Sequence, residues 1–257
     1  MNLKVIIRLL YGKHPRHTIL AWNWLFTRSL IRWVKRYARP SSGAPRVALD
    51  YGCGKLPYYP WIAPRVDVYY ALDFPDQLRR LPDAANVRRV PLAPDGGIPP
   101  GVPQATLLLS FQVLMEVDNP QRYLDRLAAH AAPGATLLLT TPWGMPAAGD
   151  NDRCRLSPYH VAELLRRAGF ELAAYRPAGY LFTGAALSLN LLLVCKNRYD
   201  LRTSAVTFSP GKALIFAPIV AIGNALAVAL DALIPLRRAP ANYLIVARKA
   251  AAETLSQ

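Results

Sequence analysis

The chain has 257 residues, 53% of them hydrophobic and 18% charged, which excludes an intrinsically disordered protein and provides apolar surface for a sizeable core. Lys and Arg number 31 against 16 Asp and Glu, a formal charge of +15 that is unevenly placed. Residues 1–40 carry nine Lys or Arg and no carboxylate, the first acid being Asp50, so the chain reads as a basic N-terminal arm on a nearly balanced body. Three cysteines, Cys53, Cys154 and Cys195, lie far apart without a C-x-x-C pair. That spacing argues against a disulfide framework and a thiolate zinc site, and no metal centre is expected. The N-terminus lacks the order of a secretory signal, and reducing cytosol is the default compartment; an acid-free, Arg-rich start leaves organelle import as an alternative.

In chain order, Ile19, Trp22, Phe26, Leu30, Trp33 and Tyr37 recur at three- and four-residue steps, with Arg28, Arg32, Lys35, Arg36 and Arg39 mostly between them. This predicts an amphipathic helix over 17–39 with a basic face. The Pro-Ser-Ser-Gly-Ala-Pro stretch at 40–45 reads as a linker. Short apolar runs ending in turn residues then follow at 46–50, 68–73, 87–92, 105–110 and 135–141. Helical patterns lie at 120–131 and 158–168, and such alternation argues for a parallel, doubly wound α/β sheet.

The chemistry gathers where the first strand ends. Val47-Ala48-Leu49-Asp50-Tyr51-Gly52-Cys53-Gly54 puts an acid and two glycines directly after an apolar strand. In an open parallel sheet, ligands bind at the carboxyl ends of strands, and glycine lets the backbone turn tightly and approach them. The same pattern also serves plain turn chemistry. A second strand ends in Asp73, 21 positions after Gly52, the separation at which an acid holds a ribose diol, and Phe74 beside it can pack on a purine. A third glycine is missing and Pro57 follows closely, which argues against a dinucleotide.

Beyond these residues, Ser110-Phe111-Gln112-Val113-Leu114-Met115-Glu116-Val117, the run Ala132-Pro133-Gly134 to Thr141-Pro142, and Leu156-Ser157-Pro158 through Ala168-Gly169-Phe170 follow in order. In this order the chain resembles the class I S-adenosylmethionine-dependent methyltransferases, in particular small-molecule, type 11-like members, over about 45–175 and again at 241–249. The resemblance implies a Rossmann-like doubly wound sheet of about seven strands with an antiparallel last strand. It implies S-adenosylmethionine as cofactor, held by Asp50, Gly52, Cys53, Gly54, Asp73, Phe74, Leu92, Ser110 and Gln112. Three positions depart from the family pattern: Thr106 stands for a strand-four Asp, Pro91 or Leu92 for an acid after strand three, and Glu116 for a frequent His. Adenine recognition is therefore expected to be backbone-mediated. The sulfonium methyl is already electrophilic, so the protein mainly aligns the acceptor, and a base is needed only for a poorly acidic hydroxyl. Glu116 and His160 are the candidates for such a catalytic base, and Tyr58 and Gln112 for acceptor contacts.

Strands six and seven of that fold fall at 171–175 and 242–248, and about 65 residues separate them where a short hairpin is usual. Two apolar runs occupy the gap, 181–195 and 213–230. Pro218, Gly223 and Asn224 are expected to break the second run, and the basic loop from Lys196 to Arg202 argues against its translocation. The segments are therefore a basic amphipathic arm (1–40), a methyltransferase core (41–177 and 239–249) and an apolar helical insertion (178–238) acting as a lid or a membrane-associated hairpin. Together they imply an enzyme peripheral to the cytoplasmic face of a membrane, held on an anionic surface, with a small apolar or lipid-linked acceptor from cell-surface glycan, lipid or quinone biosynthesis. The competing readings are an RNA methyltransferase using the arm on phosphates, disfavoured because no Asn-Pro-Pro-Tyr-type motif follows strand four, and a cofactor-binding scaffold without chemistry.

Overall fold

The computed structural model describes residues 5–6, 18–39, 45–146, 152–195 and 208–250. Seven strands form one sheet in the order β3-β2-β1-β4-β5-β7-β6. They are β1 Val47–Tyr51, β2 Val68–Asp73, β3 Val87–Pro91, β4 Ala105–Phe111, β5 Ala131–Pro142, β6 Phe170–Pro177 and β7 Asn242–Lys249. The sheet is mixed, with β7 antiparallel. β1 is buried along its whole length and pairs in parallel with β2 on one side and β4 on the other. Strand order reverses between β1 and β4, which opens a crevice at their carboxyl ends.

Seven α-helices are described: α1 Trp24–Tyr37, α2 Tyr59–Ile62, α3 Pro75–Leu78, α4 Pro120–Ala129, α5 Pro158–Arg167, α6 Leu181–Val194 and α7 Pro210–Leu233. Three of them start alike. Asn119, Ser157 and Ser209 each accept a backbone N–H from the residue three ahead, and a Pro, whose missing N–H is no loss in the first turn, follows each cap.

The chain divides into two compact units, one comprising Trp33–Thr141, Leu156–Arg176 and Leu244 onward, the other the residues through Arg32, Pro142–Arg155 and Pro177–Tyr243. Residues before Trp33 thus belong with the insertion. α1 begins seven residues later than the periodicity predicts. The reason is tertiary: the carbonyls of Ile19 and Ala21 accept from Asn224 Nδ2, and that of Trp22 accepts from Asn190 Nδ2. The apolar face of α1 is buried in the protein at Leu25, Phe26, Leu30, Trp33 and Val34. This helix therefore offers no hydrophobic stripe to a membrane, a correction to its reading as a membrane-lying amphipath. Arg65 closes its C-terminal end by donating to the carbonyls of Val34 and Ala38.

α7 also differs from expectation. It runs unbroken through Pro218, Gly223 and Asn224. Pro218 points outward, where its lost N–H costs one bond, while Asn224 points inward and is fully engaged. α6 and α7 form an antiparallel hairpin. The backbone bridge between Cys195 and Phe208 marks one end, and at the other Asp231 of α7 caps α6. Asp231 accepts the backbone N–H groups of Tyr180 (2.8 Å), Phe182 (3.1 Å) and Thr183 (3.3 Å) and the Thr183 hydroxyl (2.7 Å). Replacing Asp231 by Ala leaves these donors without an acceptor and is expected to destabilise the protein by about 1–3 kcal/mol in urea unfolding, with Asp231→Asn losing less.

Candidate functional site: the carboxyl ends of β1, β2 and β4

Asp50 and Asp73 end the adjacent parallel strands β1 and β2, with Asp50 opposite Ala71 in register. Asp50 is 3% exposed. Its carboxyl is pushed up to about 7, first by burial and further by the nearby Asp73, while the Tyr69 hydroxyl, donating to Oδ2 at 2.5 Å, opposes the shift. Asp73 accepts the Gly54 N–H at 2.9 Å and the Phe74 N–H at 2.8 Å.

The turn between them is backbone-directed. Gly52 and Cys53 both donate their N–H to Leu72 O, tying the loop after β1 to β2. Gly52 has φ +72°, and a Cβ there would run into Val113. Gly54, at φ +53°, has open space where a Cβ would project. Cys53 is buried, and burial, reinforced by Asp50 and Asp73, holds its thiol well above the usual range. A thiol held protonated in this way is poorly nucleophilic.

β4 completes the crevice. Ser110 is buried and accepts from the Tyr123 hydroxyl at 2.7 Å. Gln112, at φ +62°, is held in that unusual conformation by β5: its N–H and its Nε2 both donate to Thr140 Oγ1 at 2.9 Å. Phe74 is 49% exposed, whereas Leu92 is buried with its N–H on Asp73 O. Thr106, standing where the family has an acid, bridges β1 and β4 by accepting from Val47 N and donating to Val47 O. Asp95 is tied to Arg122 and Arg126 and accepts the Gly97 N–H, so it stabilises its own loop.

The remaining sequence candidates divide. Tyr58 is buried edge-on against Phe111 at 4.9 Å between ring centroids. Glu116 is exposed in the turn after β4, and its N–H donates to Val113 O. His160 is exposed in the first turn of α5. Sequence reasoning missed Tyr69, Val113, Tyr123 and Thr140. Tyr69 and Thr140 reach Asp50 and Gln112 from neighbouring strands, Val113 meets Gly52 from the turn after β4, and Tyr123 reaches Ser110 from α4. Among the described residues, no cluster of three His, Cys, Asp or Glu could hold a metal.

A methyltransferase-domain family matches residues 21–175, more than half of the chain. The chain belongs to the class I S-adenosylmethionine-dependent methyltransferases. Similar solved structures include the 4+2 cyclase SpnF (TM-score 0.54, 18% identity, covering 86% of this chain and 80% of that one). An S-adenosylmethionine-dependent methyltransferase from Mesorhizobium loti is similar too (TM-score 0.52, 16% identity, 89% and 98%). At these identities the likeness is one of fold. No curated protein matches the chain in sequence.

S-adenosylmethionine is the family's cofactor, and the site fits it. The open face at Gly54, the Asp73 carboxylate and the half-exposed Phe74 ring supply bare backbone, a hydroxyl acceptor and an aromatic plane. A nucleoside needs these three things. When bound, the cofactor supplies the electrophilic methyl group; Asp73 would hold its ribose and Asp50 would face its positive charge.

Asp73→Ala is expected to weaken S-adenosylmethionine binding by about 1–3 kcal/mol in calorimetry, with unfolding midpoint as the control for fold. Asp50 gives a pH signature. Between its ordinary 3.8 and its native value of about 7, the folded protein holds a proton that the unfolded chain releases. Its contribution to stability therefore falls as pH rises through that window. Asp50→Asn, which cannot ionise, is expected to remove this slope in urea titrations at a series of pH values.

Proposed function

We propose that this methyltransferase modifies a small apolar or lipid-linked acceptor at the inner face of a membrane. The observation that carries the reading is a row of exposed Leu and Ile side chains on the 177–243 insertion, joined directly to the last two strands of the cofactor-binding sheet. A water-soluble acceptor gives no reason for such a surface. The reaction asks little of the protein beyond alignment and the exclusion of water, and a base is required only for a hydroxyl of ordinary acidity. Glu116 and His160, both solvent-accessible in the unit that carries the crevice, are the groups available for that role.

The basic charges of the arm support an anionic partner. The test is transfer of a radiolabelled methyl group from S-adenosylmethionine to a lipid extract of the native cell. Label is expected in the organic phase and is expected to be lost in Asp73→Ala. Intact cofactor binding without label in any lipid or apolar fraction would overturn the assignment of acceptor class.

A further inference from the structure

The hairpin of α6 and α7 is built inside out. The inward stripe of α7 consists of Ala213, Ala217, Val220, Asn224, Ala227 and Asp231. The outward face carries Leu214, Ile215, Ile219, Ile222, Leu226 and Leu233, with Ile215 71% and Leu233 77% exposed. Large aliphatics outside and small or polar residues inside reverse the order of a helix folded in water. This is the pattern of helices surrounded by lipid. There, helix contact gains nothing from the hydrophobic effect and relies on close approach and polar bonds.

The buried amides and carboxylate between the two helices find partners, as an apolar solvent demands. Asn190 donates to Asn224 Oδ1 at 2.9 Å, and Asn224 in turn donates to the carbonyls of Ile19 and Ala21. Asp231 takes four donors from the start of α6. A core helix of a water-soluble protein would be mostly covered. Of the most apolar 18-residue window of α7, whose mean hydropathy is 2.3, 28% is buried.

Charge names the occupant. Among the described residues of this unit the acids are Asp152, paired with Arg155, and the enclosed Asp231. Arg32, Arg237 and Arg238 are exposed, the last two directly after α7. Two copies of such a surface repel each other, whereas an anionic bilayer attracts it. Length sets the depth. At ~1.5 Å per residue the 24 residues of α7 reach about 36 Å, but the 14 residues of α6 reach about 21 Å, so the paired part of the hairpin falls short of the ~30 Å hydrocarbon layer. Both legs leave from one point, since Ala178 N–H donates to Asn242 O and Ala241 N–H to Gly179 O.

We infer that α6 and α7 form a hairpin embedded in one leaflet of an anionic bilayer, anchoring the enzyme by insertion and not by its basic arm. The inference rests on the membrane-face reading above and supplies its mode. Such an anchor resists salt, because insertion is hydrophobic, and the arm's electrostatic contribution is screened.

The experiment fractionates cells expressing the full chain and a variant carrying Ile215→Asp, Ile219→Asp and Ile222→Asp. All three positions face outward, so folding is preserved, and S-adenosylmethionine affinity measured by calorimetry monitors it. The unmodified protein is expected to stay with membranes through high salt and alkaline carbonate and to leave with detergent. The variant is expected to be at least about tenfold depleted from the pellet with unchanged cofactor affinity. The same contrast is expected on phosphatidylcholine–phosphatidylglycerol vesicles. Release of the unmodified protein by salt, equal retention of the variant, or a soluble dimer that the three substitutions split would each overturn the inference. Salt-resistant anchoring without lipid methylation would leave the hairpin standing and remove only the proposed acceptor class.

Discussion

Two carboxylates end neighbouring parallel strands, and the surrounding structure is arranged to tolerate them there. Burial raises Asp50 to about 7, and Tyr69 spends its hydroxyl holding it. Asp73 collects the amides of Gly54 and Phe74 instead. The Gly52 and Cys53 amides turn to Leu72 O, so the loop crosses from β1 to β2 without leaving a donor exposed to the apolar sheet. A cationic ligand bound beside Asp50 would favour its ionised form, which burial alone opposes.

The second unit solves the opposite problem. Its hairpin has excess apolar surface and few polar groups, and the latter are withdrawn into the helix contact. Asn190, Asn224 and Asp231 hold α6, α7 and the segment before α1 together through directional bonds, leaving the large aliphatics to face outward. The sheet unit buries a Leu-rich β4, whereas the hairpin unit keeps its large aliphatics on the outside.

That division also explains how the basic arm and the insertion exchange roles. The arm's tryptophans and leucines have amphipathic spacing, but Leu30, Trp33 and Val34 are consumed by the fold. The insertion, which has no amphipathic spacing, keeps its aliphatics outside. Periodicity identifies a stripe without saying what covers it, and here the covered stripe belongs to the more polar helix.

Local chemistry made much of the molecule legible in the residues alone. Strand–acid–Gly-x-Gly, a second acid 21 positions on, and polar cap–Pro helix starts are consequences of backbone geometry within a few residues, so they survive in one dimension. The strand ends, the Asp50–Gly54 turn and the place of the insertion were all readable on that basis. Tyr69 beneath Asp50, Val113 against Gly52, and Thr140 holding Gln112 at φ +62° were not, because each is a contact between segments distant in sequence that no single segment encodes. The start of α1 was misread for the same reason, since two distant asparagines decide it. The continuity of α7 through Pro218 is likewise tertiary: the one lost bond lies on the outward face, while the inward face is fixed by Asn224 and Asp231. Sequence alone determined where the chain turns and which acids stand at the carboxyl ends of β1 and β2; packing decided which side of each element faces inward, because burial is a property of neighbours.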